Sequence, residues 1–131
     1  FETKAHDRWE MWAVQRRRLL RFVERERIDG VLWIGGDLHI AAAGRVGARP
    51  GDPGWGQLEV LAGPGAQQGS PFTEFLGAPQ YDFADPRSNV TYFDLDPSSL
   101  QVRVRFVLAS GETMADLTYD LSGPVHLVER G

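Results

Sequence analysis

The sequence predicts a domain of the α/β (α+β) class: an N-terminal amphipathic helix, a buried strand, then a mostly antiparallel sheet. Three observations predict it. Trp9, Trp12, Leu19, Leu20 and Val23 recur at helical spacing, with Phe22 on the flank. Val31-Leu32-Trp33-Ile34-Gly35 follows an Asp29-Gly30 stop and carries no polar side chain, the pattern of a strand buried on both faces. Val102, Val104, Phe106 and Leu108 alternate with Gln101, Arg103 and Arg105, the period of a half-buried antiparallel strand.

The helix is expected over 7–27. Asp7, with Glu10 three residues later, has the form of a capping box at its start. A strand over 31–35 follows. Ala41-Ala42-Ala43-Gly44 leads into 45–55, rich in Gly and Pro and read as a loop. Residues 57–62 alternate enough for a second strand, ended by Gly63-Pro64-Gly65. Residues 71–86 read as a long irregular segment anchored by Phe72, Phe75, Leu76, Tyr81 and Phe83, a length more often functional or interface-forming than not. Strands over 89–95, 100–108 and 113–121 then form an antiparallel unit. Ala109-Ser110-Gly111 makes its hairpin turn, and Met114 falls out of phase with Leu117, which calls for a bulge. Gly123-Pro124 ends the last strand. The chain has no internal repeat and no interdomain linker, so 1–131 reads as one domain.

Composition narrows the function classes. At 131 residues and 42% hydrophobic content the chain can bury a core. Its net charge of −4 argues against a nucleic-acid partner. Positive charge is local: Arg16, Arg17, Arg18, Arg21, Arg25 and Arg27 crowd one segment, interleaved with Glu24 and Glu26 as on a solvated helix face. With no cysteine there is no disulfide, thiolate ligand or Cys nucleophile. No stretch is long enough to span a bilayer, so no membrane partner is expected. Asp82, Asp85, Asp94 and Asp96 lack the spacing of a calcium loop and read as turn residues. Asn89-Val90-Thr91 matches a glycosylation sequon but falls in a predicted strand.

Gly36-Asp37-Leu38-His39, directly after the apolar run, carries the clearest chemistry. A hard carboxylate oxygen and a borderline imidazole nitrogen two residues apart suit a divalent or trivalent metal. The same residues also suit a turn in which the Asp side chain caps backbone amides. Asp7 and Trp9 read either as pocket lining or as helix cap and core; Arg16 reads either as a phosphate contact or as a solvated helix residue. No catalytic acid, base or nucleophile is assigned.

Taken together, these segments resemble the C-terminal part of PhoD-like alkaline phosphatases, in the metallophosphoesterase superfamily. Asp7-Arg8-Trp9-Glu10-Met11-Trp12, followed by Arg16 and Leu19-Leu20, resembles the family's Asp-x-Trp-Asp-Gly-Tyr segment, with Met11 and Trp12 in place of its Gly and Tyr. Residues 30–39 resemble its strand followed by Gly-Asp-Val-His, and 58–66 with Phe72-Thr73-Glu74-Phe75 resemble the segment after it. Asn89-Val90-Thr91-Tyr92-Phe93-Asp94-Leu95 and Val102-Arg103-Val104 resemble the closing strands.

The resemblance implies half of an αββα sandwich. It implies that Asp37 and His39 are metal ligands in a dinuclear site holding iron, calcium, zinc or manganese. It also implies that Asp7, Trp9 and Arg16 lie on the side of a phosphate ester substrate, and that the protein works outside the cytoplasm. A metal-bridged hydroxide would attack phosphorus in line. The family's other ligands lie in an upstream Asp-rich and Asn-His-Asp-bearing half that has no counterpart here, and His6 and His126 lack ligand spacing. The chain is therefore expected to be a C-terminal portion, inactive alone and prone to form a homodimer through an uncovered sheet face. The alternative is a non-catalytic module that binds itself or another protein through Phe72, Phe75, Tyr81 and Phe83.

Overall fold

The computed structural model describes residues 9–66 and 76–131, except the side chain of Glu10. A 3-10 turn, Trp9–Trp12, leads into helix α1, Ala13–Arg25, with no side-chain cap at Trp12. The predicted helix is thus shorter than 7–27 and enters through a tighter turn. Asp7 and its capping box lie outside the described residues. Only Leu20 and Val23 of α1 are buried, while Trp12, Leu19 and Phe22 are exposed. The helix ends before the predicted Asp29-Gly30 stop. Arg27 turns left-handed at φ +51°, its N–H donates to the Glu24 carbonyl, and the Ile28 N–H donates to that of Val23. These two bonds satisfy last-turn carbonyls in a Schellman closure.

Among the described residues eight strands follow: β1 Leu32–Gly35, β2 Ala41–Arg45, β3 Leu58–Leu61, β4 Tyr81–Asp85, β5 Asn89–Asp96, β6 Gln101–Leu108, β7 Thr113–Asp120 and β8 His126–Arg130. They form two four-stranded sheets, ordered β1-β3-β2-β4 and β5-β6-β7-β8. The first is mixed, with β1 parallel to β3 and β2 antiparallel to β3 and β4. The second is an antiparallel meander. A helix with mostly antiparallel sheets is the predicted α+β class.

Ala41, Ala43, Leu58 and Val60 of the first sheet pack with Val102, Val104, Phe106, Leu117 and Tyr119 of the second in one buried cluster. Phe83 stacks on Phe106, ring centroids 4.9 Å apart. These inner faces cover each other, while Val90 and Tyr92 of β5, which alternate with the inward Phe93, stay exposed. The opposite face of the first sheet buries Ile40, Ala42 and Leu61, with Leu38, Tyr81 and Ala84 packed against them.

Several expectations are corrected. β1 is an edge strand, half-buried, with Ile34 60% exposed. The apolar run therefore does not mark a strand covered on both faces. Ala41–Arg45, read as the approach to a loop, is a central strand whose alanines are fully buried. Here small side chains let neighbours close in: a Cβ on Gly44 would sit 2.1 Å from the Gln80 carbonyl oxygen. The segment read as irregular contains β4, and β8 follows the Gly123-Pro124 stop. Asp82, Asp85, Asp94 and Asp96 sit on strands rather than in turns, although Asp96 does accept bonds from Ser98 and Ser99 in the turn to β6. Tyr81 and Phe83 do not form one aromatic surface. They belong to the clusters on opposite faces of the sheet, and Phe72 and Phe75 lie outside the described residues.

Candidate functional site

The loop between β1 and β2 must step over β3, because those strands flank it in the sheet. Since β1 and β3 are parallel, the loop leaves at the end where both present their carboxyl termini, the usual site position in α/β sheets. The antiparallel pairing of Ala41 with Asp85 brings the end of β4 to the same rim.

The chain turns sharply there. The Leu38 N–H donates to the Gly36 carbonyl at 2.8 Å, closing a γ-turn on Asp37, whose φ is +66°. This positive-φ form is rare and strained. His39 is left-handed too, at φ +58°. Between them Leu38 packs onto Ile40, Ala42 and Leu61. Asp37 is exposed and His39 half-buried. Asp and His are among the non-glycine residues that tolerate this region best.

Trp9 and Arg16 come together at the other end of β1. The Trp9 ring is half-buried against Trp33, with centroids 5.3 Å apart and planes tilted by 46°. The Arg16 guanidinium lies 5.5 Å from the Trp9 ring centroid, and its Nη2 donates to the Val46 carbonyl at 3.5 Å. Arg16 is half-buried by these contacts rather than solvated. Trp33 in turn donates through Nε1 to Gln57 Oε1 at 2.8 Å. The Trp9 segment is thereby tied to the strand that leads into Asp37 and His39.

Sequence reasoning missed Asp85 and Arg87, which stand at the rim shared with the β1–β2 loop. Arg87 grips the Asp85 carboxylate through Nε at 3.0 and 3.1 Å and Nη2 at 2.8 Å. Its hydrogen bonds hold the Asp85 pKa below the usual carboxylate value, against the opposing effect of burial. The signal was a two-residue Asp-to-Arg spacing, which says nothing about position without the strand pairing. At the same rim the sequon residue Asn89 is buried against Gly63. Its amide donates to the Arg87 carbonyl at 2.8 Å.

The donors at Asp37 and His39 suit a hard or borderline cation in type, but two ligands fall short of the four or more such ions take. Among the described residues no group of three or more His, Asp or Glu is placed to hold a metal. His126 opens β8, and His6 lies outside the described residues.

The profile of the PhoD-like phosphatases matches residues 2–107, which contain Trp9, Arg16, Asp37 and His39. The chain belongs to the PhoD-like phosphatase family. A solved structure of PhoD is similar in fold, with a TM-score of 0.67 at 19% sequence identity. The match covers 95% of this chain and 27% of the PhoD chain. The chain thus corresponds to about a quarter of that PhoD-like phosphatase and is read as a fragment of one. The curated proteins give no match. No helix among the described residues is long and apolar enough to cross a membrane.

Proposed function

We propose that this chain supplies Asp37 and His39 as two ligands of a dinuclear metal site in a phosphatase that cleaves phosphate mono- or diesters. The observation that carries this reading is the placement of the pair, beyond the carboxyl ends of two parallel strands and on a turn strained at both residues. Strain of that kind collects where side-chain chemistry outweighs backbone comfort. The bound metals, of iron, calcium, zinc or manganese type, would supply Lewis acidity and a hydroxide at neutral pH. The chain's own part is to hold Asp37 and His39 at the rim, while Trp9 and Arg16, toward the other end of β1, brace the strand that leads there. The remaining ligands belong to segments outside this chain. On the family reading the whole enzyme acts outside the cytoplasm.

The isolated chain is therefore expected to be inactive. With added iron, zinc, manganese or calcium it should not hydrolyse p-nitrophenyl phosphate. Turnover that His39→Ala abolishes would mean that a complete site lies within these residues, and the half-site reading would fail.

A second reading, a self-associating module, is favoured by exposed apolar side chains on the helical segment and on the edge strand. Met11, Trp12, Val14, Leu19 and Phe22 on the helical segment and Ile34 on the edge strand are all exposed. Such surface favours a homodimer of the fragment. Light scattering at micromolar concentration would return a dimer mass on this reading and a monomer mass against it.

A further inference from the structure

We infer that Leu38, the variable position of Gly-Asp-x-His, is a positioning residue: its packing holds Asp37 and His39 in left-handed conformations and so aims both ligands from one turn. Four non-glycine residues among those described have positive φ, and two of them flank Leu38. The others have different supports. Arg27 closes a helix through two backbone bonds, and Leu100 ends the turn before β6, with its carbonyl accepting the Leu121 N–H.

Supports at 37–39 include the Leu38 N–H bond to Gly36 and the seating of the Leu38 side chain against the cluster of Ile40, Ala42 and Leu61. Ile40 is 1% and Ala42 0% exposed, so the seat is a fixed part of the core rather than loose surface. A side chain anchored there constrains the backbone on both sides of itself. If the anchor is removed, the turn can relax toward ordinary φ, and the Asp37 and His39 side chains swing with it. The functional meaning rests on the phosphatase reading above. The test uses neither metal nor substrate, so failure of this inference and failure of that reading are separate results.

The test is a stability cycle on this chain with a spectroscopic readout. Asp37→Gly and His39→Gly remove left-handed strain, so each should lower the unfolding equilibrium constant by about fivefold or more in urea titrations. In a Leu38→Ala background, where the turn has relaxed, the same glycine substitutions should give no such gain. Three-bond HN–Hα couplings and backbone carbon shifts should report left-handed Asp37 and His39 in the unaltered chain. They should report the same in Leu38→Met, and both residues should leave that region in Leu38→Ala. If the Leu38→Ala chain does not fold, the glycine substitutions in the unaltered background and the Leu38→Met spectrum decide. Glycine variants that are neutral or destabilised would overturn the inference, as would an equal gain in both backgrounds or left-handed signatures that survive Leu38→Ala.

Discussion

Trp33 Nε1 donates to Gln57 Oε1 at 2.8 Å, and Gln57 passes the connection on through Nε2 to the Leu20 carbonyl at 3.0 Å. Gln57 is 5% exposed, one of two buried polar residues among those described. One amide therefore joins β1, the start of β3 and helix α1. Trp9 leans on the same Trp33 ring, and Asp37 follows four positions along the chain. The parts that carry the family resemblance are linked through this contact.

Gln57→Leu should show how much the link contributes. It leaves a half-buried indole N–H and a buried carbonyl without their partner. The loss should be on the order of 3 kcal/mol in urea unfolding, since each buried group left unsatisfied costs about 1–3 kcal/mol. A loss below about 1 kcal/mol would mean that the helix is held by its other contacts, the burial of Leu20 and Val23 and the bonds of Arg16, Arg21 and Glu24 to the 46–54 segment.

Tyr119 gives the fold a handle at alkaline pH. Its ring is buried between the sheets, and its hydroxyl donates to Asp82 Oδ2 at 3.1 Å. Burial first, and the Asp82 carboxylate second, push its pKa above the ordinary 10.0. The folded state then keeps a proton that the unfolded chain releases, so the contribution is complete below pH 10.0 and is lost as pH rises beyond it. Urea midpoints should fall above that pH in the unaltered chain, and Tyr119→Phe should remove most of the slope.

The acid limb works the other way. Arg103 hydrogen-bonds the Asp116 carboxylate on the outer face of the second sheet. That bond holds the Asp116 pKa below 3.8, with burial opposing it. The native carboxylate stays ionised where the unfolded one protonates, so its contribution is present above 3.8 and lost as pH falls through the lowered value. Arg103 is exposed, so solvent screening keeps the effect small. Asp116→Asn should flatten the acid unfolding curve slightly and leave midpoints at neutral pH nearly unchanged.

Three of the four strands of the second sheet were legible because their chemistry is local, while β8, beyond the Gly123-Pro124 stop, was not. Val102, Val104 and Phe106 alternate cleanly, the Gly111 turn is explicit, and Met114 is skipped where Phe106 faces Ala115 and Val107 faces Thr113. The first sheet was less legible because its order depends on non-local pairing. Alanine has little strand propensity, so nothing in Ala41-Ala42-Ala43 announces a central strand. The strand exists because β3 and β4 close on it from both sides. The apolar run of β1 misled in the other direction. An edge position looks the same in sequence as a buried one, and the exposed Ile34 shows the difference only once the partners are known. Asp37 and His39 stood out by residue type and by their place after a strand. Their left-handed backbones, and the place of the Asp85–Arg87 pair at the same rim, show only once the chain is folded.

On the proposed function, Asp37 and His39 are two ligands of a metal site shared with segments outside this chain. The decisive experiment is a chimera in which this chain replaces the matching 27% of PhoD. Metal-loaded chimera should hydrolyse p-nitrophenyl phosphate. Asp37→Asn and His39→Ala should each lower turnover by more than about 100-fold, beyond the upper range seen when partners outside the ligand shell are removed. A folded chimera that keeps its rate and its metal content in both variants would contradict the account.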